Sequence, residues 1–196
     1  DKNGDFTGTI ADFFTPYPVL VGIASLTLLS MHGCVYLLMK TEGEMHDKLR
    51  SWFKSLMYAF ILAFIGVTVA TLFYHPYMAD RMREYPVLYL LPALTVVWMV
   101  NIPYQINHNR DGWAFILSCL SIDFLFAIFG VGVFPYLIHS TIDPAYSLTL
   151  FNASSSINTL KVIFIIVLIV VPLVLAYGYW VYHIFRGKVK LDHMSY

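Results

Sequence analysis

The chain alternates between long stretches of apolar residues and short segments that carry most of its charges. A helix needs about 20 apolar residues to cross the hydrocarbon core of a bilayer, because that core is roughly 30 Å thick and each residue advances the helix by about 1.5 Å. Five stretches reach this length, at residues 18–39, 55–74, 85–104, 113–138 and 160–185. The pattern predicts an all-α, polytopic membrane protein with five transmembrane helices.

Aromatic and proline residues add detail to these helices. Tyr and Trp gather at the segment ends, as at Trp52, Tyr74 and Trp113, which is typical of the interfacial belts of membrane proteins. Pro92 and Pro172 fall inside predicted helices. We predict a kink at each proline, because membrane helices tolerate proline where neighbouring groups satisfy the freed carbonyl.

The composition excludes several other classes of protein. Of the 196 residues, 59% are apolar and 12% are charged, about half the charged share of a soluble domain. The formal net charge is zero and no basic run occurs, which argues against a soluble enzyme and against a nucleic-acid-binding protein. The 15 Phe, 14 Tyr and 4 Trp are too many for a disordered chain. Cys34 and Cys119 both lie in apolar stretches, so no disulfide framework is predicted.

The distribution of Lys and Arg predicts the orientation of the helices. Cytoplasmic loops of membrane proteins carry an excess of these residues. Eight of the 12 fall in residues 40–54, in residues 105–112 and after the last helix, and the other four fall on the opposite side. We therefore expect an extracytoplasmic leader at residues 1–17, a five-helix membrane domain at residues 18–186 and a cytoplasmic tail at residues 187–196.

Small residues mark one face of the second predicted helix. Ala59, Ala63, Gly66 and Ala70 follow the spacing of one helical face. Helices in lipid associate through close packing of small residues, since lipid provides no hydrophobic drive between them. This face is predicted to contact another helix.

Asp123 is the first candidate for a functional polar residue. It lies ten residues into the fourth predicted helix, close to the bilayer midplane. A charged carboxylate facing lipid at that depth costs at least about 2.5 kcal/mol, so we expect Asp123 to be buried against protein and either protonated or paired. It is interpreted either as a proton-relay or water-cavity residue, or as a structural acid that forms a hydrogen bond across helices.

His32 is the second buried polar candidate. It shares a face of the first predicted helix with Ser25 and Tyr36. Neutral imidazole can serve as an axial haem ligand, whereas a packed histidine can instead form a hydrogen bond with a neighbouring hydroxyl or carbonyl. No CxxC, HExxH, GxSxG or phosphate-loop motif occurs, so no catalytic, cofactor-binding or metal-binding residue is assigned.

Several strings of residues carry a family resemblance. They are Met-His-Gly-Cys-Val-Tyr-Leu at 31–37, Lys-Thr-Glu-Gly at 40–43, Trp-Ala-Phe at 113–115, Phe-Pro at 134–135, Ser-Leu-Thr-Leu-Phe-Asn-Ala-Ser-Ser-Ser at 147–156, and the Pro172, Tyr177, Trp180 and Tyr182 pattern of the last helix. In their order and spacing they resemble subunit II of the cytochrome bd-type quinol oxidases of prokaryotes.

The resemblance covers the later part of that subunit. Family members contain two four-helix bundles and one further helix, and here it implies one four-helix bundle plus the further helix. The first four helices are then expected to be missing from this chain. Asp1-Lys2-Asn3-Gly4-Asp5 resembles the outer loop that joins the two halves, in agreement with an outside N-terminus.

The resemblance implies a respiratory function at the prokaryotic cytoplasmic membrane. Such complexes oxidise membrane quinol and reduce dioxygen to water. Two b-type haems and one d-type haem are expected in subunit I and none in this chain, although some members hold a quinone in subunit II. The expected partners are subunit I, the missing first half of subunit II, small accessory single-helix subunits, quinol and lipid, and no nucleic acid.

A transporter or channel is the alternative from another class. A proton-coupled transporter half could use the midplane carboxylate of Asp123, and transporters often contain broken helices. Pro92 and Pro172 provide that feature weakly, and no inverted repeat is visible in the sequence.

Overall fold

The computed structural model describes residues 14–140 and 143–188. Within that part, five helices are long and apolar enough to cross a membrane, which confirms the prediction of an all-helical, five-span protein. The helices are α1 (Pro16–Lys40), α2 (Gly43–Tyr74), the short α3 (Asp80–Glu84), α4 (Leu90–Asn107), α5 (Asp111–Val133) and α6 (Ile157–Ile184). Short 3₁₀ turns lie at Pro76–Ala79, Pro86–Tyr89 and Pro144–Tyr146.

The second helix begins earlier than its apolar stretch. We predicted a helix from residue 55, but α2 starts at Gly43 and only two residues separate it from the end of α1. Six of the twelve residues at 43–54 are of types that form helices well, namely Glu44, Met45, Lys48, Leu49, Arg50 and Lys54. Hydropathy reports only the part of a helix that suits lipid, so the polar first turns of α2 were missed.

The fourth helix ends earlier than predicted. We expected it to reach residue 138, but α5 ends at Val133. Proline has no N–H to donate and disfavours a helical conformation in the residue before it, so Pro135 stops the helix. Residues Tyr136–Ile138 instead form strand β1, which pairs in antiparallel fashion with β2 (Leu148–Thr149).

Pro92 does not interrupt a helix, so the predicted kink there is wrong. α4 begins at Leu90, which places Pro92 in its first turn. Amides of the first turn have no partner within the helix, and the missing N–H of Pro92 therefore costs little. Pro103 of α4 and Pro172 of α6 are the prolines inside helices of the described part.

The described residues fall into two compact units, one up to Gly132 and one from Val133. The first unit contains α1, α2, α4 and α5, and all four contribute to one core. Its completely or almost completely buried members include Leu38 of α1, Phe60 of α2, Ile102 of α4 and Ala114 of α5. The second unit contains the β1–β2 hairpin and α6, in which no side chain is buried.

An aromatic cluster connects the start of α1 with the end of α2. The Tyr17 hydroxyl is hydrogen-bonded to the Thr71 hydroxyl at 3.0 Å, and the Tyr17 ring meets the His75 ring edge-on at 4.6 Å between centroids. Burial raises the pKa of the nearby Tyr77 hydroxyl, and the proximity of Tyr17 raises it further. A tyrosine hydroxyl is already neutral at pH 7 at its ordinary pKa, and the raised pKa keeps Tyr77 neutral to still higher pH.

The small-residue face of α2 packs against α1 over part of its length. A side chain added at Gly66 would meet Leu20 of α1 at 3.6 Å, and Ala63 is only 8% exposed. Ala59 is exposed, so its contact with a helix stays a prediction. Within the described part of this chain, the buried section of the face begins one turn later, at Ala63.

This difference gives a matched pair of substitutions. Ala63→Leu should lower the free energy of unfolding by about 1–3 kcal/mol, because extra methylenes in a close-packed interface force neighbouring groups apart. Ala59→Leu, one turn away on the same helix, should have little effect. Thermal unfolding of the purified protein measures both, and equal behaviour of the two variants would contradict the assigned face.

Gly132 allows a close approach between the end of α5 and the 3₁₀ turn at Pro76–Ala79. A Cβ at this position would lie 3.2 Å from the backbone oxygen of Met78 and 3.1 Å from its side chain. Gly132→Ala should therefore cost about 1–3 kcal/mol of unfolding free energy, as overpacking typically does.

Gly130 is the control for that substitution. A Cβ at Gly130 meets no described atom within 4 Å, and alanine is a better helix former than glycine by about 1 kcal/mol. Gly130→Ala should leave stability unchanged or increase it. A Gly132→Ala protein as stable as the Gly130→Ala protein in chemical denaturation would argue against the close contact.

Candidate functional site

His32 lies at the contact between α1 and α5. Its Nδ1 is 2.9 Å from the Ser118 hydroxyl, and its ring stacks on Phe115 with centroids 5.3 Å apart and planes 27° apart. Tyr36, one turn further along α1, contacts the same Phe115 ring at 5.6 Å. The side chain of His32 is half-buried. These contacts join the two helices through one hydrogen bond and two aromatic pairs.

The hydrogen bonds of Ser118 determine which ring nitrogen of His32 carries the proton. Ser118 donates to the Phe115 carbonyl at 2.7 Å, and a serine hydroxyl has one proton to give. The Nδ1–H of His32 must then donate to the Ser118 oxygen. The sequence had predicted a packed histidine that binds a hydroxyl as one of its two interpretations, and Ser118 is its partner.

The structure places Asp123 on the exposed side of α5. The expectation that it is buried against protein stays a prediction, because the described part of this chain leaves it exposed and partner chains could cover it. In its first half, α5 buries Ala114, Ser118 and Ser121, and Ser118 contacts His32 of α1. A residue turns by about 100° along a helix, so Asp123 points away from all three of these positions.

A polar cluster that the sequence did not predict lies where α2 begins and α4 ends. The Arg50 guanidinium of α2 donates to the Ile106 carbonyl at the end of α4, and also to the Asn109 side-chain oxygen at 2.6 Å. Asn109 has a positive φ of 58°, a conformation that asparagine adopts more easily than most residues. Arg50 thus holds the turn that connects α4 to α5.

His46 extends the same cluster to α1 and α5. Its Nδ1 donates to the Leu38 carbonyl at 3.2 Å, and its Nε2 lies 3.8 Å from the Asp111 carboxylate. Asp111 opens α5, where a negative charge is favoured by the helix dipole. The polar run at residues 107–111 was the only sequence signal for this cluster, because its partners on α2 lie more than 50 residues earlier.

A comparison with protein families identifies the chain. A family model described as cytochrome bd terminal oxidase subunit II matches residues 2–185. The chain belongs to this family. The resemblance seen in the sequence strings is therefore confirmed over nearly the whole chain.

Individual relatives agree with the family assignment. The chain is 27% identical over 193 residues to the Bacillus subtilis protein named cytochrome bd ubiquinol oxidase subunit 2. It is 27% identical over 216 aligned positions to the Escherichia coli K12 protein named cytochrome bd-I ubiquinol oxidase subunit 2. It is 29% identical to a probable cytochrome oxidase subunit 2 of Haemophilus influenzae.

The chain spans little more than half the length of these relatives. Each match includes 97% of this chain but only 55–57% of the relative. As a family member with five helices long and apolar enough to span a bilayer, it is a multi-pass membrane protein.

The side chains around His32 offer little to a haem. His32 contacts the Ser118 hydroxyl, which already accepts from it, and the ring of Phe115. Neither a serine hydroxyl nor a phenylalanine ring is among the usual axial ligands of a haem. Across residues 14–140 and 143–188, no group of three or more His, Cys, Asp and Glu side chains is arranged to hold a metal ion.

Proposed function

We propose that this chain is a non-haem subunit of a respiratory terminal oxidase, which oxidises membrane quinol and reduces dioxygen to water. The observation that carries the proposal is the family match over residues 2–185, together with relatives named as subunit 2 of ubiquinol oxidases. In this proposal the chain supports a haem-bearing subunit I and has no catalytic residue of its own.

The haems are assigned to subunit I. Two b-type haems and one d-type haem would reside there, where they supply the electron transfer and the oxygen chemistry of the complex. The packing role of His32 between α1 and α5 supports the assignment of the haems to subunit I. Its contacts with Ser118 and Phe115 account for its position without a cofactor. A bound quinone in this chain remains a further proposal.

The orientation follows the distribution of positive charge. The end of the first unit that contains Arg50 and the 107–111 turn carries five of the eight Lys and Arg residues that precede position 133, so we place it in the cytoplasm. The proposal places residues 1–17 outside, residues 18–186 in the membrane domain and residues 187–196 in a cytoplasmic tail. Of these, residues 1–13 and 189–196 lie outside the described residues.

The exposed acid on α5 supports the proposal that other subunits contact this helix. A carboxylate in contact with lipid near the midplane is costly, and Asp123 has no cover from the described residues of this chain. Subunit I, the other half of subunit II, or an accessory single-helix subunit would provide that cover in the assembled complex.

Capture of the native complex tests the proposal. A tag on the C-terminus of this chain should copurify a haem-bearing chain from the source membranes, and the captured complex should consume oxygen when given a reduced quinol. A complex that lacks quinol-driven oxygen uptake but carries out proton-coupled solute exchange in vesicles would overturn the proposal in favour of the transporter alternative.

His32→Ala provides a residue-level test of the division of haems. The variant loses one interhelical hydrogen bond, which contributes about 0.5–1.5 kcal/mol, so modest destabilisation is expected. The haem spectrum of the captured complex should be unchanged per assembled complex. Loss of one haem band from a normally assembled His32→Ala complex would show that this chain does ligate a haem.

A further inference from the structure

A groove runs between α2 and α4 of the first unit, beside the Arg50 cluster. Its volume is about 900 Å³. Its floor consists of buried apolar side chains, Phe53 and Met57 from α2 and Met99 and Ile106 from α4. Its rims are exposed, as shown by Val100, of which 65% is accessible. The groove is therefore open along its side to whatever surrounds these helices.

The two ends of the groove differ in chemistry. Arg50, Ser51 and Lys54 lie at one end together with Asn107. From Met57 onward the α2 wall is apolar apart from the hydroxyl of Tyr58. α2 begins and α4 ends on the same side, so both helices place their polar lining residues at the same end.

The charge at the polar end is uncompensated by the lining. None of the described residues that line the groove carries a carboxylate. Arg50 donates to the neutral oxygens of Ile106 and Asn109, and neither Arg50 nor Lys54 forms an ion pair with a carboxylate in the described ranges. An anionic group at this end would gain attraction from two cations, and no residue of the groove lining would repel it.

The length of the apolar section matches one leaflet. The α2 wall extends from Met57 to Ile65, about 12 Å along a helix at 1.5 Å per residue. Half of a hydrocarbon core is about 15 Å thick. A transmembrane helix from another chain would need a contact surface along the whole thickness of the hydrocarbon core. An acyl chain of one leaflet needs only the length of this apolar wall.

We propose that the groove between α2 and α4 binds an anionic phospholipid, with its phosphate at Arg50 and Lys54 and an acyl chain along the Met57–Ile65 wall. Basic pockets between membrane helices on the cytoplasmic side are known to bind anionic headgroups. Ser51 and Asn107 supply further donors to the headgroup oxygens. The site does not depend on the proposed oxidase activity, because it consists of residues of this chain alone.

Titration of the delipidated complex with two lipids tests the charge at the polar end. Native mass spectrometry counts bound phosphatidylglycerol or phosphatidylcholine, and phosphatidylglycerol should bind more tightly. Lys54→Gln should weaken phosphatidylglycerol binding about fivefold, the factor that one cation near an anionic surface contributes. Lys48→Gln is the matched control, because Lys48 lies on the same helix over the Trp52 ring and outside the groove lining.

A second variant tests the apolar section. Val100→Trp should occupy the groove and remove binding of both lipids at this site, without loss of folding, because Val100 lies on an exposed rim. A photo-reactive amino acid at position 100 should form adducts with the mass of a phospholipid.

Three results would overturn the proposal. The first is equal binding of the two lipids, and the second is equal behaviour of Lys54→Gln and Lys48→Gln. The third is a photo-adduct at position 100 with a protein chain or with an isoprenoid quinone in place of a phospholipid. Each of these can occur with normal quinol oxidation, so failure of the lipid site is distinguishable from failure of the proposed function.

Discussion

Phe60→Ala should lower the free energy of unfolding of this protein by about 3 kcal/mol, at the lower end of the range for removal of a buried phenylalanine. Phe60 is 1% exposed and belongs to the core shared by α1, α2, α4 and α5. Its ring also contacts Phe64 at 5.9 Å between centroids. The substitution leaves a cavity at the centre of the four helices.

In a membrane, only part of the usual free-energy cost of truncating a buried phenylalanine is expected. In water, a buried phenylalanine is stabilised partly by transfer out of solvent, but lipid is as apolar as the protein core and provides no such drive. The remaining cost is the loss of close contacts around the cavity. We therefore expect the lower end of the range and not the upper.

Leu62→Ala is the control for this prediction. Leu62 lies on the same helix but is 74% exposed, so its truncation should change stability by less than about 1 kcal/mol. Unfolding in detergent by chemical denaturant compares the two variants. If Leu62→Ala destabilises the protein as strongly as Phe60→Ala, the assigned core is wrong.

Arg50→Met should cost about 1.5–3 kcal/mol, because hydrogen bonds from a charged donor contribute about that much. Arg50 donates to the Ile106 carbonyl and to Asn109, and so connects α2 to the turn between α4 and α5. Methionine preserves much of the apolar stem while it removes the guanidinium. Thermal unfolding of the purified protein measures the loss.

A double-mutant cycle separates this connection from a general effect of charge. Asn109→Ala combined with Arg50→Met should cost less than the sum of the two single variants, because both remove the same hydrogen bond. Lys48→Met removes a cation from the same helix, where it lies 5.3 Å from the Trp52 ring, and should have a small effect. Additive costs for Arg50→Met and Asn109→Ala would contradict the shared contact.

The number and type of the membrane helices could be predicted from the sequence, but their ends could not. Apolar length reports the part of a helix that suits lipid, and the structure confirms five such helices. The polar first turns of α2, from Gly43 onward, leave no signal in hydropathy. The end of α5 was decided by Pro135, whose effect on the preceding residues the apolar run concealed.

The role of a candidate polar residue could be predicted only where its position within a single helix was enough to indicate it. His32 was recognised as a polar residue in an apolar helix, and one of its two interpretations matches its contact with Ser118. The cost of burying a charge indicates that Asp123 needs cover but not which chain supplies it. The Arg50 cluster could not be predicted, because its members on α2 and in the 107–111 turn meet only in the folded bundle.

The visible absorbance spectrum of the complex captured through this chain tests whether a chain without haem ligands serves as subunit II of a haem-bearing quinol oxidase. We expect b-type bands and the red absorbance of a d-type haem, with all of the haem on a copurified chain after the subunits are separated. A stable, fully assembled complex without colour, or one whose haem remains with this chain, would contradict this expectation.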